Sequence, residues 1–462
     1  MLKKWSMLAA GLMIAASTFA QDTPNIIFIL ADDLGYADIG VNGQKLIKTP
    51  NIDALAKEGV TFTDFYAGAP VCSPSRSVLI TGLHTGHTTI RGNSTIRGGI
   101  KGTKGKNPVS RANLAEDDFT VGQLMSKSGY HTALFGKWHL DGYDTLATPI
   151  HRGFDEFSGW LVSYGKTYAK GYWPEARYTN GKLVDIPGNQ NGSKGYYTDD
   201  ICTDESLAFL ARQKNAAKPF LLMVNYNSPH SPFDAADSTI YQDKNWSADA
   251  KIYAAQVHHL DENIGKIKKY LTESGLSKNT IVFFCSDNGP RSEPSPDQTA
   301  VVEFFDSNGK LRGYKRDLYE GGIRVPMIAW APGKLKPEAV IDEPAYFADM
   351  MPTFADIARS KISYQTDGAS ILPFLNGKKA AKPRFLYWEF FEKGFEQAVR
   401  YGKWKAVKAA GKFELYDLSN DVSETKDVTL ENPAVVKRIE QYLKTSRTES
   451  PFWPVEGRRG TE

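Results

Sequence analysis

Asn25-Ile26-Ile27-Phe28-Ile29-Leu30 is a continuous apolar run that ends at Asp32-Asp33. An apolar run of that length without polar alternation reads as a strand buried on both faces. Three other runs share its form. Thr132-Ala133-Leu134-Phe135 leads to Lys137 and His139, Phe220 to Tyr226 leads to His230, and Ile281-Val282-Phe283-Phe284 leads to Asp287-Asn288. Between the first two runs lies Cys72-Ser73-Pro74-Ser75-Arg76. In an open α/β sheet, ligands bind just beyond the carboxyl ends of the strands. The four ends therefore predict one convergent active site. Its oxygen ligands suit a hard cation, and its basic residues suit an anionic substrate.

Amphipathic segments separate these runs. Asn51 to Gly59, Val121 to Gly129 and Ala254 to Ser274 read as helices, the last with Val257, Leu260, Ile264, Ile267 and Leu271 at helical spacing. The alternation predicts an α/β fold: a large mixed, mostly parallel sheet covered by helices on both faces. Ile90 to Ala112 and Tyr164 to Thr198 read as long loops. From about Gly377 the texture changes to short aromatic runs, Phe385 to Phe391, Gln397 to Arg400, Trp404 to Val407 and Glu414 to Leu418. These predict a small antiparallel sheet, followed by a helix from Pro433 to about Thr445. The expected division is a catalytic domain over residues 21–376 and a C-terminal α+β subdomain over 377–462.

The 462 residues are 41% hydrophobic and 12% aromatic, enough for a sizeable core. A net charge of +3 without a basic run argues against a nucleic-acid partner. Lys3 and Lys4, the apolar stretch Met7 to Ala16 and Thr18-Phe19-Ala20 before Gln21 have the form of a cleaved secretory signal over residues 1–20. That stretch is shorter than the ~20 residues of a spanning helix, so the expectation is export to the periplasm or beyond, without stable membrane insertion. Three cysteines in an exported chain leave at least one unpaired. Cys202 and Cys285 are available to pair.

In Cys72-Ser73-Pro74-Ser75-Arg76, Pro74 suits the opening of a helix. Cys72 and Arg76 then share a face, at a terminus that favours anions. A purely structural cysteine beside a capping turn reads the motif equally well. The whole pattern, however, resembles the type I sulfatases of the alkaline phosphatase-like superfamily. C-x-P-S-R followed by Thr81-Gly82 is their signature. The opening through Asp32-Asp33-Leu34-Gly35, Gly136-Lys137-Trp138-His139-Leu140, Pro229-His230-Ser231-Pro232-Phe233, Ser286-Asp287-Asn288-Gly289 and Leu318 to Pro326 match in family order. Asp367 to Ser370 and Glu414 to Leu418 match its later parts.

The resemblance implies that Cys72 is converted by a maturation enzyme to formylglycine, an aldehyde. One hydroxyl of its hydrate attacks sulfur, and the second allows sulfate to be expelled by re-forming the carbonyl. It implies one calcium ion on Asp32, Asp33, Asp287, Asn288 and the modified Cys72. Arg76, Lys137 and Lys315 would hold the sulfate and hydrate oxygens. His139 would take the hydrate proton, and His230 would protonate the leaving oxygen. The expected substrate is a sulfated saccharide, attacked at a terminal galactose or N-acetylhexosamine. Tyr172, Trp173, Glu175 and Arg177 are the candidates for gripping the sugar, although aromatics can equally pack their own loop. His84, His87, His151 and Arg152 read as either site or loop residues. A phosphoester or phosphonate hydrolase of the same superfamily and a non-catalytic sulfated-glycan-binding protein are the alternative functions.

Overall fold

The Asn25–Ala31 strand lies inside a ten-stranded sheet with all its residues buried. This computed structural model describes residues 23–104, 107–162, 171–292 and 301–455. The expected signal segment, residues 1–20, lies outside them. Five adjacent strands run parallel: Thr280–Ser286, Asn25–Ala31, Phe220–Asn225, His131–Lys137 and Glu156–Trp160. On one side follow Met327–Trp330, Val60–Phe62 and Ala339–Ile341; on the other, Ala176–Thr179 and Lys182–Asp185.

The alternation of side chains along the first strand builds both cores. Ile26, Phe28 and Leu30 face one, shared with the helices Cys72–Thr81, Val121–Lys127 and Met350–Ile357. Ile27, Ile29 and Ala31 face the other, against Pro50–Glu58, Thr198–Gln213 and Ala248–Ser274. A mostly parallel sheet covered on both faces is therefore the architecture. The two cores also decide the cysteines. Cys202 belongs to one and Cys285 to the other, so the sheet separates them, and all three cysteines are free and buried.

Parallel register aligns the strand ends. Ala31 pairs with Ser286, Leu30 with Asn225, and Asn225 with Gly136. Asp32 and Asp287 thus leave the sheet at the same level. Gly136, at φ 107°, allows the approach to the neighbouring strand; a Cβ there would lie 2.0 Å from the Asn225 carbonyl oxygen.

Both long loops carry more structure than expected. Within Ile90 to Ala112, Ile100–Lys104 and Asn107–Arg111 form an antiparallel hairpin. Its mostly exposed residues give no alternation of apolar and polar, so the pattern hides it. Within Tyr164 to Thr198, the strands Ala176–Thr179 and Lys182–Asp185 meet at Asn180-Gly181, both with positive φ (44° and 85°). Asn-Gly favours that two-residue hairpin turn, a signal passed over in the sequence. The long helix starts at Ala248 rather than Ala254, because the Ser247 side chain accepts the Ala250 N–H.

The C-terminal part is a four-stranded antiparallel meander, Phe385–Phe390, Glu396–Tyr401, Trp404–Ala409 and Lys412–Asp417, with the helix Pro433–Leu443. Trp388 and Phe390 join the main core. The chain then runs back. Phe452 accepts the Ile96 N–H (3.0 Å), and Trp453 donates to the Ser94 carbonyl (3.1 Å). Fully buried Lys405 binds Glu320 (2.9 Å) and Glu424 (3.3 Å) across this junction. Lys405→Ala leaves buried Glu424 without its cation and Glu320 with Arg324 alone, so unfolding in urea is expected to show a loss of about 3–5 kcal/mol; a loss below about 1 kcal/mol would mean that the junction is not held by this charge.

Candidate active site

Cys72 is the first residue of a ten-residue helix, Cys72–Thr81, whose every residue is buried. The two serines of the motif explain why the helix sits where it does. Ser73 Oγ donates to the His139 carbonyl (2.9 Å). Ser75 Oγ donates to the Asp287 carbonyl (2.5 Å) and accepts the Gly68 N–H (3.0 Å). The helix start is thereby tied to two of the strand ends predicted to converge on it.

The Cys72 Sγ lies 3.5 Å from Asp32 Oδ1, 3.8 Å from Asp33 Oδ1 and 3.3 Å from Lys315 Nζ. Around it, three buried carboxylates meet three buried cations. Lys137 pairs with Asp32. Lys315 donates to both oxygens of Asp33 (2.7 and 2.8 Å). Arg76 grips Asp287 through Nε and Nη2 (2.9 and 2.8 Å), and its Nη1 donates to the Lys137 carbonyl (3.0 Å). Burial raises the proton affinity of Asp32 and Asp33, but the adjoining cations overcome it and hold both below the ordinary carboxylate range. Asp287 is pushed up to about 6 by burial and by Asp32, against Arg76.

Asn288 Nδ2 donates to Asp33 Oδ1 (2.7 Å), while its Oδ1 is buried with no hydrogen-bond partner. A buried amide oxygen left over beside three carboxylates is the donor set of a hard divalent cation. Asp32, Asp33, Cys72 and His230 can each bring a ligand atom within 4.8 Å of the others. Asp287 is committed elsewhere here: Oδ2 to Arg76 and Oδ1 to the Asp33 N–H (3.2 Å).

Asp33, His139 and Arg316 have positive φ (65°, 66° and 79°). Such conformations cost energy for residues with side chains, and three of them border one site. His139 Nε2 faces Arg111 Nη1 at 3.1 Å. Arginine has no acceptor, so Nε2 is the unprotonated nitrogen. Burial, then the charges of Lys137, Arg111 and Arg76, hold this imidazole well below its usual proton affinity. His230 Nδ1 donates to the Ser231 carbonyl, and its Nε2 lies 3.6 Å from Asp33. Loss of solvent around the ring lowers its pKa to about 4 despite Asp33 and Asp32.

Cys72, His139, His230 and Lys315 line a cavity of about 340 Å³. Arg76 and Lys137, expected to face the substrate with Lys315, are not among its lining residues; they press on Asp32 and Asp287 instead. The sugar-gripping candidates need a larger correction, since none of the four lines this cavity. Tyr172 is buried and stacked on Tyr197, and its hydroxyl donates to the carbonyls of Asn227 (2.9 Å) and His230 (2.6 Å). Trp173 donates to Asp234 (3.0 Å), and the Glu175 carbonyl accepts the Ile186 N–H (2.8 Å). Arg177 pairs with Glu205 (2.7 Å) beside a different groove. These aromatics pack their own segment.

The remaining histidines and Arg152 are braces. His87 binds Asp367 (2.9 Å), His84 stacks on His87, and His151 meets Thr148 Oγ1 (2.9 Å). Arg152 donates to the Leu114 carbonyl (2.8 Å). Sequence reasoning missed Asn93, Ser94, Arg111, Arg291, Arg316 and Glu392, all on the cavity wall. They come from turns and a hairpin with no chemical motif of their own.

A sulfatase family model matches residues 24–360, and one for the C-terminal part of N-sulphoglucosamine sulphohydrolase matches 312–449. The chain belongs to the sulfatase family. This sulfatase is 32% identical to the Mus musculus N-acetylgalactosamine-6-sulfatase over 417 residues, 86% of this chain and 74% of that one. It is also 32% identical to Homo sapiens arylsulfatase A over 416 residues, 86% and 76% of the two chains. Among solved structures, Ps i-CgsB superposes with a TM-score of 0.79 at 31% identity, covering 94% of this chain and 96% of that one. The sulfatase is a sulfuric ester hydrolase with the alkaline phosphatase-like fold. Because Tyr172 holds the segment that carries His230, Tyr172→Phe is expected to lower kcat on an aryl sulfate about 3- to 10-fold, with thermal unfolding shifted by no more than a few degrees. An unchanged kcat would show that the segment holds His230 without this hydroxyl.

Proposed function

We propose that this enzyme is an exported sulfatase, dependent on calcium and formylglycine, that removes sulfate from the end of a sulfated saccharide. Galactose and N-acetylhexosamine sulfates are the proposed substrates. The setting of Cys72 carries the reading. Burial pushes its thiol well above the ordinary range, so as a thiol it is a protonated and weak nucleophile. Yet its side chain ends where Asp32, Asp33 and Lys315 meet. Replacement of that thiol by an aldehyde hydrate puts hydroxyls among groups that bind oxygen. Calcium held by Asp32, Asp33, Asp287 and Asn288 supplies fixed positive charge, and the hydrate supplies the attacking oxygen.

The chain's own residues do the rest. Lys315, on the cavity wall, takes a sulfate oxygen, while Lys137 and Arg76 stabilise the developing charge from behind Asp32. His230 presents Nε2 to the leaving oxygen because its Nδ1–H is held by Ser231. Burial holds the proton affinity of that ring low, and a sulfate anion bound beside it favours the protonated, acid form. His139 is held neutral, and its one acceptor nitrogen, Nε2, faces Arg111, so it takes the hydrate proton only when that hydrogen bond is released. The saccharide class rests on relatives. One is named for a sulfated N-acetylgalactosamine, and Ps i-CgsB has been solved with k-i-k-neocarrahexaose.

Peptide mass spectrometry of protein from its native host is expected to find the Cys72 peptide about 18 Da lighter than its thiol form. An active enzyme with an intact thiol would overturn the proposed nucleophile. Exhaustive chelation is expected to abolish turnover of an aryl sulfate by at least about 100-fold, with recovery on adding calcium. Full activity in the chelated enzyme would remove the metal from the reading.

A further inference from the structure

Arg111 differs from Lys137, Lys315, Arg76 and Arg316 around the nucleophile. Lys137, Lys315 and Arg76 are matched by Asp32, Asp33 and Asp287. Arg316, on the cavity wall, is matched by Glu392 (2.7 Å). Arg111 lines the same cavity at 8% exposure, and among the described residues no carboxylate lies within ion-pair distance. Its Nη1 is spent on His139, its Nε is buried without a hydrogen-bond partner, and its guanidinium lies 5.8 Å from the centre of the Tyr143 ring. A buried guanidinium without a counter-charge costs several kcal/mol. A fold keeps one where a ligand brings the missing charge.

The backbone holds that charge in place. Arg111 ends the hairpin of Ile100–Lys104 and Asn107–Arg111, and pairs with Ile100. Tyr143 donates to the Thr103 carbonyl (3.0 Å), and Leu114 N–H donates to the Leu140 carbonyl (3.2 Å). The hairpin is thus fixed to the segment that carries His139. Arg111 lines the same cavity as Cys72 and as His230, the residue assigned to the leaving oxygen.

The geometry points to Arg111 as a specificity-determining residue that binds a second anionic group on the saccharide whose sulfate is removed. The substrate class is then a saccharide with at least two negative groups: a second sulfate ester, or the carboxylate of an adjoining uronic acid. This inference rests on the sulfatase reading. Guanidinium binds both groups through paired N–H donors, which lysine cannot reproduce.

The test compares three kinds of substrate in the matured enzyme: 4-nitrophenyl sulfate, monosulfated N-acetylhexosamines and galactose, and their doubly anionic counterparts, disulfated or joined to a hexuronate. Turnover of 4-nitrophenyl sulfate establishes the sulfatase reading by itself; its absence in protein with the modified Cys72 would sink that reading rather than this one. The expected result is a kcat/KM at least about 30-fold higher on one doubly anionic class than on the monosulfated sugar. In Arg111→Ala that ratio falls by about the same factor, chiefly through KM, and Arg111→Lys keeps part of it. The disulfated and uronate arms identify which anion is read. A wild-type enzyme with no preference for the second charge would overturn the inference. So would an Arg111→Ala enzyme that loses all substrates equally, since Arg111 would then serve only His139.

Discussion

Three carboxylates, Asp32, Asp33 and Asp287, share one buried cluster with Lys137, Lys315 and Arg76, and their mutual neutralisation is the constraint on which the site depends. None of these charges is affordable alone at that depth. They meet because parallel register puts Ala31 opposite Ser286, so Asp32 and Asp287 emerge side by side. The sheet does not merely carry the site. Its pairing sets which charges face each other, and a one-residue slip would turn those side chains to the opposite face.

The nucleophile helix is bound into the same arrangement from the other direction. Ser73 and Ser75 fasten it to the carbonyls of His139 and Asp287, two of the positions that the strands deliver. Backbone strain is placed at the border between scaffold and site, at Asp33, His139 and Arg316. The regular strands around them are relaxed. Rigid, doubly covered strands are what can hold such residues in place.

Much of this was legible in the chain. The apolar runs ending in Asp32-Asp33, Lys137, His230 and Asp287-Asn288 located the strand ends, since strands buried on both faces leave no other pattern. The cation pairing was not legible. Lys137 and Arg76 are positive residues near an anion site in either reading, and only coordinates show that they face carboxylates instead of the cavity. The sugar-gripping candidates were ambiguous for a related reason. Tyr172 and Trp173 look alike whether they stack on a ligand or on Tyr197, and here Tyr172 stacks on Tyr197. Arg111 went unnoticed because its hairpin is polar on both faces. A buried charge is invisible in a segment whose neighbours are exposed.

The return of the chain end gives the molecule a sequence in time. Cys72 is 1% exposed, and the segment after its helix is tied down by residues from the far end: Arg91 donates to the Thr448 carbonyl (2.9 Å), Trp453 to Ser94, and Ile96 to Phe452. A chain emerging from its amino end displays Cys72 long before it can make residues 448–453. An enzyme that alters this cysteine therefore needs a chain that has not yet folded. Closure by residues 448–453 ends that opportunity, so the fold that completes the active site also seals it.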